Sequence, residues 1–199
     1  VFRGYFSYGG VCIRPEIEDC FYNTKFLALV RDYWKAEYAE PEGMLFNIQG
    51  PCSGAGAPHV DATRFRGMGL DNTPIWLMNT MAKSGLFKRW QARKAQVVTW
   101  YYRGSVGGGF VYWPDGPHTQ PRVLEAPMWG RAAVVENEMM FHTAQTNGPA
   151  AMRKPAGLAL NSVMEADPEV AGGWRISTDG TVIQQIPEQE FRFLVHWGA

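Results

Sequence analysis

Pro58-His59-Val60-Asp61, read together with Phe141-His142 far downstream, decides how this chain should fold. On an extended strand, residues i and i+2 point to the same side, so His59 and Asp61 would project together from one segment. A third donor must then come from a strand laid alongside, and His142 follows the apolar run Met139-Met140-Phe141. Two imidazoles and one carboxylate grouped on one side of an ion leave its other side open to ligands. An H-x-D pair alone is common as a loop histidine near an acid. His142 alone reads equally well as a core histidine satisfied by a backbone carbonyl. Only their partnership points to a metal.

The flanking text extends the pattern. Val97-Val98-Thr99-Trp100-Tyr101-Tyr102 is dense in β-branched and aromatic residues, as strands are. Gly108-Gly109-Phe110-Val111-Tyr112-Trp113-Pro114-Asp115-Gly116 has a glycine start, an aromatic strand and a proline turn. Gly130-Arg131-Ala132-Ala133-Val134-Val135-Glu136-Asn137 leads to Phe141-His142, and Arg153 lies eleven residues past that histidine.

This set resembles the Fe(II)/2-oxoglutarate dioxygenase superfamily, in particular its phytanoyl-CoA-hydroxylase-like branch, over roughly residues 58–160. The resemblance implies an α+β, mostly β fold: a double-stranded β-helix (jelly roll, cupin-like) with N-terminal and inserted helices packed on one sheet. It implies Fe(II) held by His59, Asp61 and His142, with the remaining positions for 2-oxoglutarate and O₂. It also implies an arginine that grips the far carboxylate of 2-oxoglutarate, since a guanidinium pairs bidentately with a carboxylate. Arg153 is the expected residue, although Pro155-Ala156-Gly157 interrupts the strand text there. Arg175 takes the role if 143–173 is an excursion. The implied reaction oxidises a small-molecule substrate with release of succinate and CO₂. A carboxylate at position 61 favours hydroxylation, desaturation or ring closure over halogenation, because related halogenases usually carry a small residue there. Arg64, Arg66, Trp100 and Tyr102 are the expected substrate contacts.

Composition fits this picture without choosing it. A chain of 199 residues suits one domain, here 1–199. Lys plus Arg and Asp plus Glu are both 19, so no net charge attracts nucleic acid or an anionic membrane. The cysteines Cys12, Cys20 and Cys52 are odd in number and lack zinc-like spacing, which suggests a reduced, cytoplasmic protein. No run of 18 apolar residues and no signal-peptide pattern is present.

Periodicity predicts a lead-in strand within 1–13, a helix over 22–39 ended by Pro41-Glu42-Gly43, and a buried strand over 44–48. A helix over 74–94 follows, interrupted at Ser84-Gly85. Strands are expected over 96–103, 108–113, 131–142 and 153–163, with a terminal pair around 174–186 and 190–197. Asp179-Gly180 is a hairpin turn signal. Gly107-Gly108-Gly109 lacks the G-K-[ST] of a phosphate loop and reads as a turn leading into a strand. The basic and aromatic stretch 88–94 reads as the solvated face of a helix or part of a pocket rim. His118 reads as a surface residue and His196 as a structural one. Two other readings stay open: a cupin-like metalloenzyme that does not use 2-oxoglutarate, and a non-catalytic jelly-roll binding module.

Overall fold

The computed structural model describes residues 1–199 except Ala55, Leu70 and Asp71, so the reading of the 50–58 loop is followed only on either side of Ala55. Three short strands come first: β1 (Phe2–Tyr5), β2 (Ser7–Tyr8) and β3 (Val11–Cys12). Gly9 and Gly10, both with positive φ, make the turn between the second and third. Helix α1 (Glu18–Phe21) and helix α2 (Thr24–Trp34) precede β4 (Gly43–Gln49). Helix α3 (Ile75–Ser84) follows, then β5 (Gln96–Tyr101), β6 (Phe110–Trp113), β7 (Arg122–Leu124), β8 (Arg131–Val135) and β9 (Phe141–Ala144). The chain ends with β10 (Val163–Ala166), β11 (Trp174–Thr178), β12 (Thr181–Ile186) and β13 (Arg192–Gly198).

The strands form a five-stranded sheet in the order β1-β4-β13-β5-β8 and a three-stranded sheet in the order β7-β6-β9. All neighbouring strands run antiparallel, and the register sets Asn47 opposite Leu194, and Val98 opposite His196 on one side and Ala133 on the other. Antiparallel alternation gives each strand of the large sheet two faces. One face carries Met44, Val97, Val195 and Trp197, packed with Phe21 and Val30 of the two N-terminal helices. The other carries Val98, Trp100 and Leu194, which meet Phe110 of β6 and, at its margin, Leu124 of β7. That second cluster fills the space between the two sheets.

Helix α2 is shorter than the sequence suggests. Asn23 caps it, its Oδ1 accepting from the backbone N–H of Lys25 (3.0 Å) and Phe26 (3.1 Å). It ends when Lys35 turns left-handed at φ 50°, well before Pro41, and Lys35 and Ala36 then close the last carbonyls. The helix expected over 74–94 stops at Ser84. Gly85 is its left-handed C-cap, so the interruption is the end, and residues 88–90 form only a short 3-10 turn.

Three strand expectations are corrected. The run 131–142 is two strands, β8 and β9, in different sheets, because Glu136 O accepts from Met139 N and Met140 N and turns the chain between them. The strand expected over 153–163 is mostly turns, as Pro155 and Gly157 dictate, with only β10 beginning at its end. Residues 174–186 and 190–197 do not pair with each other. The first is the hairpin β11–β12, joined at Asp179-Gly180 and belonging with β10 to its own three-stranded sheet. The second is β13, at the centre of the large sheet. Strand β7, three residues long, had no periodic signal to reveal it.

Candidate metal centre

The segment after β4 returns along the edge of the small sheet, where His59 and His142 exchange backbone hydrogen bonds (His59 N to His142 O, 3.0 Å; His142 N to His59 O, 2.9 Å). Asp61 N donates to Asn137 O at 2.8 Å, in the turn between β8 and β9. Thr63 Oγ1 and Arg64 N bond to Glu138 O and Glu138 Oε2 in the same turn. The H-x-D segment is therefore held at both ends by the β8–β9 turn and by β9 itself. That is how residues far apart in sequence come together.

The side chains converge. His59 Nε2 lies 4.0 Å and His142 Nε2 3.8 Å from Asp61 Oδ1, and the three donor atoms all fall within 4.8 Å of one another. The imidazole tautomers follow from the opposite ring edges. His59 Nδ1 is 3.0 Å from Ala57 O, and His142 Nδ1 is 3.0 Å from Met140 O. A carbonyl only accepts, so each Nδ1 carries the proton and each Nε2 presents a lone pair toward Asp61 Oδ1. Orientation through the second nitrogen is what metal-binding histidines generally need. Two imidazole lone pairs and a carboxylate oxygen that converge on one another fit a divalent cation.

Exposure is uneven across the three. The His142 side chain is 8% exposed, against 48% for His59 and 35% for Asp61, so the centre opens to solvent on the His59 side. Burial pushes the His142 imidazole below the usual histidine range, while its Met140 contact and Asp61 pull the other way. On the inner side, the Phe110 ring packs on His142 with centroids 5.7 Å apart.

Behind Asp61 lies a polar patch that sequence reading did not single out. Gln96 Nε2 donates to Asp61 Oδ2 at 3.2 Å, and Gln96 Oε1 accepts from Asn137 Nδ2 at 3.1 Å. His196, read from sequence as structural, contacts Gln96 Oε1 through Nδ1 (3.2 Å) and Asn47 through Nε2 (3.3 Å). Burial is the main cause that pulls its imidazole down to about 4.

The remaining sequence candidates are engaged in other contacts. Arg64 forms an ion pair with Glu42, which also binds Lys94 at 2.8 Å. Arg66 is exposed beyond its backbone bond to Trp90 O. Trp100 and Tyr102 are 1% and 0% exposed in the packing between the sheets, and Tyr102 Oη contacts Glu190 Oε2 at 3.2 Å. Arg153 follows a short 3-10 turn between β9 and β10 and donates from Nε to Gly148 O at 3.0 Å. Arg175 is paired with Glu165 at 2.7 Å on the β10–β11 sheet.

Sequence reading missed Arg192, at the start of β13. It is 2% exposed, donates from Nε to Gly108 O at 3.2 Å, and has no carboxylate within ion-pair distance among the described residues. Burial lowers its guanidinium to about 10. Its place on the inward face, in step with Leu194 and His196, is visible only once β13 is known to sit between β4 and β5. Cys12, Cys20 and Cys52 are all free thiols. Among the described residues, no helix is long and apolar enough to cross a membrane.

No protein-family model and no curated protein matches the chain. Among solved structures it is similar to the crystal structure of an oxidoreductase of the 2OG-Fe(II) oxygenase family from Burkholderia pseudomallei, with 16% sequence identity and a TM-score of 0.49. The likeness covers 99% of this chain and 65% of that one, so this chain spans about two thirds of the neighbour's length. By its own elements the chain is a mostly β protein, with His59, Asp61 and His142 forming a group able to hold a metal.

Proposed function

We propose that this protein is a non-haem Fe(II)- and 2-oxoglutarate-dependent oxygenase that oxidises a small molecule, in the manner of the phytanoyl-CoA-hydroxylase-like enzymes its sequence resembles. The observation that carries the reading is the convergence of two histidine nitrogens and one carboxylate oxygen at one point, each histidine held by a backbone carbonyl at its Nδ1. That donor set is typical of open iron sites. The strand order supports a double-stranded β-helix. Read along the chain, β4 lies in the large sheet, His59 at the small one, β5 in the large, β6 and β7 in the small, β8 in the large and β9 in the small. β13 closes the series in the large sheet.

Bound Fe(II) would supply O₂ activation coupled to oxidation of the keto acid. The residues of the chain do the rest. His59, Asp61 and His142 would hold the ion from one side, and Phe110 shields the His142 ring from water. We assign the far carboxylate of 2-oxoglutarate to Arg192 in place of Arg153 or Arg175. A buried guanidinium without a counter-ion is costly, and an incoming carboxylate offsets that cost. Gly108, which Arg192 touches, lies two residues before Phe110 on the strand that packs against His142. Arg175 is already paired with a carboxylate, and Arg153 lies past a 3-10 turn outside the two facing sheets.

The test is an anaerobic Fe(II) and 2-oxoglutarate titration, read by the weak visible charge-transfer band of the keto acid bound to iron. Wild type and Arg153→Ala should show the band, and Arg192→Met should lose or weaken it at matched concentrations. Iron binding without a band would favour a metalloenzyme that does not use 2-oxoglutarate. No iron binding would leave only a binding module.

A further inference from the structure

The polar patch behind Asp61 has a direction that its two ends fix independently. At the outer end is Arg3 on β1, and a guanidinium can only donate. Its Nε lies 2.8 Å from Asn47 Oδ1, so the other terminus of that amide, Nδ2, faces His196 Nε2 at 3.3 Å. His196 Nε2 must then accept, which leaves the ring proton on Nδ1, 3.2 Å from Gln96 Oε1. Gln96 is left with Nε2 toward Asp61 Oδ2 at 3.2 Å. At the inner end the same answer comes from the opposite constraint. An ionised carboxylate can only accept, so the Gln96 atom facing it must be the amide nitrogen. Asn137 Nδ2, 3.1 Å from Gln96 Oε1, supplies a second donor to the amide oxygen and opposes a flip.

We propose that Arg3, Asn47, His196 and Gln96 form a one-way hydrogen-bond relay whose last member, Gln96, is the positioning residue that holds Asp61 ready for a metal. This inference rests on the metal reading given above. Every donor in the relay points toward Asp61, and the final one engages Oδ2 alone. Oδ1, the oxygen that faces both histidine Nε2 atoms, is left free to bind an ion. Gln96 thereby biases Asp61 toward one-oxygen ligation. Neutral amide dipoles aligned head to tail also stabilise the carboxylate without a competing cation at the centre. The relay members come from four neighbouring elements, β1, β4, β13 and β5, and each faces inward, so the pairing register of the large sheet itself builds the support.

Mn(II) alone, titrated into the full chain and followed by the loss of its free-ion EPR signal, tests the relay. Wild type should bind one ion per chain. Gln96→Leu, which keeps the side-chain bulk, should bind 10- to 100-fold more weakly, the range for losing such a supporting partner. Asn47→Leu does not touch Asp61 and should weaken binding less, by about 2- to 5-fold. Thermal unfolding of the metal-free variants separates these losses from misfolding, and both midpoints should stay near that of the wild type. Nitrogen-15 NMR of the metal-free protein should find the His196 proton on Nδ1. Unchanged Mn(II) affinity in Gln96→Leu beside normal wild-type binding, or a proton on Nε2 of His196, would overturn the relay while leaving the metal reading intact. Absence of Mn(II) binding in the wild type would overturn the metal reading, and this role for Gln96 with it.

Discussion

The two faces of the five-stranded sheet come from the same strands, residue by alternate residue, yet they differ sharply in chemistry. The outward face is apolar: Met44, Val97, Val195 and Trp197 pack with Phe21 and Val30, and the indole Nε1 of Trp197 is satisfied by Phe21 O at 2.7 Å. The inward face interleaves Val98, Trp100 and Leu194 with Asn47, Gln96, Arg192 and His196, polar groups that are costly to bury. A period of two thus lets one strand serve stability on one side and a site on the other. Asn47, His196 and Gln96 are arranged in a chain of hydrogen bonds ending at the candidate metal centre, and a site is where a fold commonly gives up stability for function.

Four changes probe that contrast, in falling order of effect. Trp197→Ala removes a fully buried outward side chain and should cost about 3–5 kcal/mol of unfolding free energy in urea titration, with Mn(II) affinity unchanged where the protein stays folded. An equal loss of metal binding would erase the distinction between the faces.

The next change is in pH. The folded His196 imidazole is pulled down to about 4, below the exposed value of about 6.5. Between those values the unfolded chain binds a proton that the folded chain refuses, so this group stabilises the fold fully above about pH 6.5. Its contribution falls as the pH drops toward 4, by up to roughly 3 kcal/mol. Glu136, pushed up to about 7 chiefly by burial, and Glu138, also raised by burial, act with the opposite sign. The difference in stability between wild type and His196→Leu therefore isolates the histidine, and it should shift in favour of the leucine variant as pH falls through that window. A difference independent of pH would mean that His196 takes up its proton in the folded state as readily as when exposed.

Asn23→Ala removes the cap of α2, the helix that covers the outward face, and should cost about 1 kcal/mol in the same urea titration. Smallest of all, Arg103→Ala breaks an exposed pair with Glu188 at 3.0 Å and should change stability by less than about 1 kcal/mol.

What could be read in the sequence follows from range. His59 and Asp61 are two residues apart on extended chain, so period two alone put them on one side, and the strand character of Gln96–Tyr101 and the Asp179-Gly180 turn are likewise local. Helix ends were less legible, because Lys35 closes α2 by adopting a left-handed conformation that its residue type does not announce. The relay was not legible at all. Asn47, Gln96 and His196 are ordinary residues whose chemistry arises from antiparallel register across β4, β13 and β5. Arg192 was hidden for a related reason. The strand that carries it does not follow β9 directly, since a 3-10 turn, the β10–β12 sheet and a further short turn intervene.

The most direct test of the central claim is the stoichiometry of anaerobic Fe(II) binding to wild type and Asp61→Ala, with metal-free unfolding midpoints measured in parallel. The account predicts one ion per wild-type chain and none held by Asp61→Ala, with the two midpoints alike. Equal binding by the two proteins, or no binding by either, would contradict it.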